Sequence, residues 1–443
     1  MKRSILSLFA SSFILVSSHS YGLDLSDAYA KARDFDSELA AATAQRDAQI
    51  EGVALSKSAL LPSISAGGSY ALHDLTRKVS PDDTYTAKGL SLTLSQKLYD
   101  KAVREQYAGA QAQAEQAEAA LRASRQDLIV RTARAYFDVL RAWEALKSAQ
   151  STEKAFEQAY RQARERYDVG LIAITEVHES KAVYDSGVVA RINARGQLDV
   201  ALENLARIIG EYTTEVNALS EDFSAKALLP ADVEGWEDKA LKTNPQVIAA
   251  RWAVDAAEKQ LAASQAGRLP VVSVEAGYSW SDLDGFYPSD ETTRDASLTL
   301  KVGVPLYTGG AISAGVRQAQ ALLRQARFSL DTAQRNTRVQ LRRLYSVLTT
   351  NVQAIEARHQ EIVSNESALK ATRAGYDVGT RNIVEVLDAE RKYYDSLVNY
   401  ASARYDFVVN LLTFKQAAGT LSQADVDELN QWLTRPVNTV AAN

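Results

Sequence analysis

The sequence predicts a mainly α-helical chain that also carries strands of a membrane β-barrel, built from one helix–two strands–long helix–helix unit used twice. Three observations carry this. Motifs recur at a nearly constant offset: Leu61-Pro62 returns as Leu269-Pro270 and Leu98-Tyr99 as Leu306-Tyr307, each 208 residues on. Tyr167-Asp168-Val169-Gly170 returns as Tyr376-Asp377-Val378-Gly379, and Gly210 as Gly419, each 209 residues on. Register kept over such a distance marks a duplicated fold. Four segments of about ten residues alternate apolar and polar side chains, the pattern of a strand with one greasy and one wet face. Finally, two very long stretches lack proline and read as helix.

Lys2 and Arg3 precede an apolar run from Ile5 to Val16, followed by the small residues Ser18, Ser20 and Gly22. This reads as a secretory signal over residues 1–22, cleaved near Gly22, and as too short for a membrane helix. Its removal takes the net charge from −5 to about −7. A mildly acidic balance argues against nucleic acid as partner. The chain has no cysteine, which excludes disulfides, thiolate metal sites and a lipidated N-terminal cysteine. After the signal no run of about 18 apolar residues occurs, which excludes a transmembrane helix but not a barrel.

The first structural repeat spans 23–210. Its opening helix is expected from Ser26 to Leu60 and its strands at about 62–73 and 89–99. Ile64, Ala66, Gly68, Tyr70 and Leu72 alternate with serines, and Leu90, Leu92 and Leu94 with Ser91, Thr93 and Ser95. A long helix over about 101–166 contains one glycine, Gly109, and extends roughly 100 Å. Its small residues recur at four-and-three spacing through Val103, Tyr107, Ala110, Ala114, Ala117 and Leu121, which is heptad packing. A tip over about 167–176 leads into a returning helix that ends before Gly210.

Residues 211–236 form a linker or equatorial segment. The second repeat, 237–419, is expected to open with a helix from Glu237 to Leu269. Its strands lie at about 270–281 and 296–306, its long helix at about 311–375 and its tip at about 376–388. Residues 420–443 form a second equatorial segment and a tail. Polar loops run from His73 to Lys88 and from Ser281 to Asp295, the latter with Asp284-Gly285 and Pro288. The alternation alone also fits a soluble, half-buried sheet. The signal peptide, the strand length and the aromatics Tyr70, Tyr85, Tyr278, Trp280, Phe286 and Tyr287 near the loops favour a lipid-facing barrel with an aromatic girdle. Four strands cannot close a barrel, and lipid does not tolerate an open edge. Three copies supply twelve strands and twelve helical columns, so a homotrimer is expected.

At the second tip Glu385 and Asp388, spaced i and i+3, share one helix face. Threefold symmetry makes them a ring of six carboxylates that favours cations; two acids on a solvated face fit the same spacing. Glu176 and Glu179 stand at matching places in the first copy. Arg381 offers a planar fork at a helix N-terminus, a poor place for an unpartnered cation. Tyr376 fits a core residue as well as a partnered one. Enzyme chemistry finds no support. His73, His178 and His359 form no metal-spaced pair, and neither a phosphate loop nor a nucleophile elbow occurs. No cofactor, metal or catalytic residue is expected. A coiled-coil structural or adhesive surface protein is the competing reading of the helices.

Ala59-Leu60-Leu61-Pro62, Leu269-Pro270, Pro305-Leu306-Tyr307-Thr308-Gly309-Gly310, Tyr167 to Val177 and Tyr376 to Asp388 together make the chain resemble the TolC family of outer-membrane efflux and type I secretion channels. The resemblance covers essentially the whole mature chain. It implies a trimer with a twelve-stranded barrel in outer-membrane lipid and a twelve-helix periplasmic tunnel closed at its far tip. It further implies export of drugs or proteins with a periplasmic adaptor and an inner-membrane pump of the ABC, RND or MFS type. The latch that holds such a tip shut falls on Tyr376 and Arg381, with partners Glu165, Thr175 and Glu176. The constriction carboxylates fall on Glu385 and Asp388. The adaptor-docking turns fall on Val169, Gly170, Leu171 and Val378, Gly379, Thr380. Glu165 stands where the best-known member carries glutamine, and Glu176 and Glu385 where it carries aspartate.

Overall fold

The computed structural model describes residues 22–76, 83–225, 232–285 and 291–439. Most of the expected signal, the aromatics Phe286 and Tyr287, Pro288 and the last four residues lie outside these. The first unit comprises helices α1 (Leu25–Phe35) and α2 (Ser37–Ser58), strands β1 (Ser63–Leu75) and β2 (Asp83–Tyr99), and helices α3 (Lys101–Asp168) and α4 (Ile174–Ile209). After strand β3 (Glu215–Leu219), the second unit runs through α5 (Val233–Thr243), α6 (Pro245–Ala266), β4 (Val271–Asp284), β5 (Glu291–Gly303), α7 (Ala311–Asp377) and α8 (Ile383–Ala417). Helix α9 (Gln423–Asn430) and strand β6 (Leu433–Asn438) follow.

The opening helix of each unit, expected to be single, is two. The chain turns at Asp36, whose carboxylate accepts the Leu39 N–H at 2.7 Å and so starts α2 afresh. In the second unit it turns at Asn244, whose side chain caps α6 by accepting from Gln246 at 2.9 Å, with Pro245 in the first helical turn. At this turn the start of α6 meets the end of α8. Asn244 Nδ2 donates to the Ala417 carbonyl at 2.8 Å and the Thr243 hydroxyl to that of Ala418 at 2.7 Å. A side chain on Gly419 would stand 2.5 Å from the Asn244 backbone, so only glycine fits there.

The four longer strands form one antiparallel sheet in the order β1-β2-β4-β5, leaving β1 and β5 as edges. The stretch from His73 to Leu75 and from Asp83 to Lys88, expected as loop, continues the ladder down to Leu75 opposite Asp83. Leu90 lies opposite Trp280, Leu92 opposite Tyr278 and Leu94 opposite Ala276, so one face carries a continuous apolar row. Leu72 and Leu298 on that face are more than two-thirds exposed. Among the described residues no helix is long and apolar enough to cross a membrane.

Helix α3 packs on α2, α4, α6 and α8, and α7 packs on α6 and α8. The main core sits halfway along α3, where β3, β6, α1 and α9 close around it. Tyr136, Phe137, Leu140 and Phe414 are fully buried there. The Tyr136 hydroxyl donates to the Asn217 carbonyl at 2.6 Å and accepts its N–H at 3.0 Å, tying the long helix to β3. Burying a tyrosine of this size requires such a partner.

Candidate functional site

Both long helices end in the same backbone device. At the end of α3 the Leu171 N–H bonds the Arg166 carbonyl at 2.8 Å and the Gly170 N–H bonds that of Tyr167 at 2.8 Å. At the end of α7 the Thr380 N–H bonds the Gly375 carbonyl at 2.8 Å and the Gly379 N–H bonds that of Tyr376 at 3.0 Å. This paired pattern is the Schellman motif, and it needs a left-handed residue after the cap. Gly170 and Gly379 supply it with φ of 76° and 79°. The flanking apolar residues are turned outward: Val169 is 70%, Leu171 73% and Val378 75% exposed. Each tip therefore presents greasy side chains on a rigid turn.

The second tip carries the charges. Asn382 starts α8 with a capping box: it accepts the Glu385 N–H at 2.9 Å, and Glu385 accepts the Asn382 N–H at 3.4 Å. Glu385 also takes an ion pair from Arg381 Nη1 at 2.5 Å. One turn on, Asp388 is paired with Arg391 at 2.5 Å and Lys392 at 2.7 Å. The Arg381 hydrogen bond holds the Glu385 carboxyl below its usual range, and Lys392, then Arg391, do the same for Asp388. The two carboxylates thus stand one turn apart, ionised, each with its own cation. Sequence reasoning missed these cations, although Arg391 and Lys392 lie at the helical spacing that pairs with Asp388. Among the described residues no cluster of three or more metal-ligating side chains occurs.

Tyr376 is 7% exposed and joins Phe156, Ala159, Ile383, Val386 and Leu387 in a small second core at the tip. Its twin Tyr167 is 41% exposed, so the repeat does not bury both. The Tyr376 hydroxyl is buried without a hydrogen-bond partner among the described residues. Across its ring lies the Arg166 guanidinium, 4.7 Å from the centroid. Arg381 folds back over Gly375, where a Cβ would stand 2.8 Å from its Cγ. Among the described residues of this one chain, neither Tyr376 nor Arg381 bonds Glu165, Thr175 or Glu176. Glu165 and Thr175 are exposed and Glu176 is partly so. Arg166 and Gly375 are the functional candidates that sequence reasoning overlooked.

Comparison with known proteins places this architecture. The family described as "Outer membrane efflux protein" matches residues 28–211 and 236–420, one match to each unit. The chain is 33% identical to outer membrane protein TolC of Vibrio cholerae over 97% of its own length and 99% of that protein's. It is 28% identical to the alkaline protease secretion protein AprF of Pseudomonas aeruginosa, over 96% and 91% of the two chains. The crystal structure of the Campylobacter jejuni CmeC outer membrane channel superposes with a TM-score of 0.79 at 15% identity, covering 92% of this chain and 89% of that one.

Proposed function

The chain belongs to the outer membrane efflux protein family, and from that premise we propose that it is the outer-membrane exit duct of an export assembly, open to traffic only when its periplasmic tip is released. It is a passive channel and not an enzyme. The observation that carries the reading is the coupling, twice in one chain, of an amphipathic membrane-type sheet to a helix of 67 or 68 residues that ends in a rigid turn. Such an object is a wall segment of a pipe.

Physical chemistry then supplies the assembly. The edges β1 and β5 leave backbone groups unpaired, which lipid does not allow. Three copies joined edge to edge make a closed barrel of twelve strands, with Leu90, Leu92, Leu94 and Tyr278 facing lipid and Ser91, Thr93 and Glu275 facing the lumen. Cleavage near Gly22 leaves Leu23, whose N–H bonds the Glu215 carbonyl at 2.8 Å, at the edge of β3. The mature N-terminus is thereby tied to β3, which pairs antiparallel with β6.

The gate is the second tip. Tyr376 and Arg381 hold the α7–α8 coil shut, with Glu165, Thr175 and Glu176 as their polar partners on the neighbouring coil. Glu385 and Asp388 repeated three times ring the axis with six carboxylates and favour cations. The exposed Val169, Leu171 and Val378 on their turns receive a periplasmic adaptor, and an inner-membrane pump of the ABC, RND or MFS type supplies the energy. AprF is named for protease secretion, which supports proteins among the cargoes alongside small molecules.

Single-channel recording from the purified full-length chain in planar lipid bilayers tests the duct. A small, cation-selective conductance is expected. A preparation that inserts yet never conducts would refute it.

A further inference from the structure

The contact between Arg166 and Tyr376 joins the closing residues of both tip turns. The Arg166 carbonyl receives the Leu171 N–H of the first turn, and the Tyr376 carbonyl receives the Gly379 N–H of the second. Arg166 has no ion pair among the described residues; its planar guanidinium is spent on the ring face, 4.7 Å from the centroid. A guanidinium over a partly desolvated aromatic is attracted by the ring quadrupole. The ring is buried in a tip core to which α3 contributes Phe156 and Ala159 and α8 contributes Ile383, Val386 and Leu387, so the arginine clasps the ring where the two coils already meet.

The duplication sharpens the point. The position of Arg166 in the first unit is Gly375 in the second, and the position of Arg381 in the second is Ile172 in the first. At these two positions each unit therefore has one arginine, placed differently. Arg381 folds over the bare Gly375 and takes Glu385 on its own helix. Arg166 reaches out of its own coil onto the other. Among the described residues the crossing cation–ring contact at the tips is that of Arg166 on Tyr376.

We propose that Arg166 is a positioning residue that couples the two docking turns to the gate: it holds the α7–α8 coil through the face of Tyr376, and a partner that distorts either turn draws the two apart. This rests on reading the tips as gate and docking site. It differs from a latch made by the Tyr376 hydroxyl, because the clasp needs the ring and not the oxygen.

Open probability in planar bilayers, measured on the full-length protein with melting temperature as a check on folding, separates these. Arg166→Gln and Tyr376→Leu are each expected to raise open probability about five-fold. Arg166→Lys, which keeps the cation, opens less than Arg166→Gln, and Tyr376→Phe, which keeps the ring, opens less than Tyr376→Leu. The double variant Arg166→Gln with Tyr376→Leu opens no further than either single change. Gly170→Ala strains the first turn without meeting any neighbour; it raises opening in the parent and adds nothing in Arg166→Gln. If Tyr376→Phe opens as far as Tyr376→Leu, the hydroxyl is the latch and the clasp is wrong. Arg381→Ser gauges the gate separately. Opening there with none in Arg166→Gln sinks the clasp and leaves the gate standing, and no opening in either sinks both.

Discussion

Arg131 grips Asp36 with both ends of its guanidinium, Nη1 to Oδ2 at 2.9 Å and Nη2 to Oδ1 at 3.0 Å. Asp36 is only 8% exposed and is also the cap of α2. One carboxylate therefore starts a helix and bolts the α1–α2 break to the middle of α3. Forked charge-assisted bonds of this kind are among the stronger polar contacts. Asp36→Ala is expected to cost about 1–2 kcal/mol, chiefly the lost cap, because Arg131 keeps its ion pair to Asp127 at 2.7 Å. The urea midpoint of the assembled protein measures it.

The same pair sets a pH dependence. The hydrogen bond from Arg131 holds the Asp36 carboxyl below its ordinary value. Its contribution is then complete above the unfolded carboxylate pKa and fades as pH falls through the lowered one. Acid unfolding of the parent should steepen in that range, and Asp36→Ala should flatten it. Parallel curves for the two proteins would remove Asp36 from the account.

At the tip, block by a trivalent cation added on the periplasmic side is expected to disappear when Glu385→Ala and Asp388→Ala are combined. Because Lys392 already occupies Asp388, Lys392→Gln should strengthen block roughly two- to five-fold, the worth of an exposed ion pair. Both carboxyls titrate below their usual range. Block should therefore outlast the pH at which ordinary carboxylates discharge and fail only below it. Block that persists in the double variant would put the cation elsewhere.

The sheet allows a direct test of which face meets lipid. Leu92 and Thr93 are neighbours in β2 on opposite faces, opposite Tyr278 and Gly277 respectively. An arginine at the middle of a lipid-facing band costs about 2–4 kcal/mol, whereas the lumen face is wet. Leu92→Arg should lower the yield of folded protein in outer membranes and Thr93→Arg should not. Equal loss in both would contradict the barrel.

The long helices and the strands were legible because their signals repeat: ten alternating residues, or sixty without proline, average out local exceptions. The duplication gave each element a second witness. The tip turns were legible through Gly170 and Gly379, whose left-handed backbone is a local demand. The break at Asn244 was available in the cap and in Pro245, yet the apolar pattern runs on through it and conceals it. Asp36 is concealed in the same way. Arg166 over Tyr376 could not be read at all, because it depends on how two helix ends some two hundred residues apart come to meet. Arg391 and Lys392 were visible at the right spacing but look like any charged helix surface. Glu165, Thr175 and Glu176 bond neither Tyr376 nor Arg381 among the described residues of one chain, so their proposed part in the latch rests on the resemblance alone.

The joint at Asn244 and Gly419 has a mechanical consequence. α7 is one unbroken rod of 67 residues, while the column beside it is α6 set on α8 with a seam between them. From that seam to the tip α8 measures 35 residues, about 50 Å. A pivot of about 5° at the seam swings the far end by roughly 4–5 Å over such a lever. The tip can thus open by leaning, with every helix left straight. Locking the seam by a disulfide between Thr243→Cys and Ala418→Cys should hold the channel shut under oxidising conditions, and a locked channel that opened as freely as the reduced one would place the pivot elsewhere.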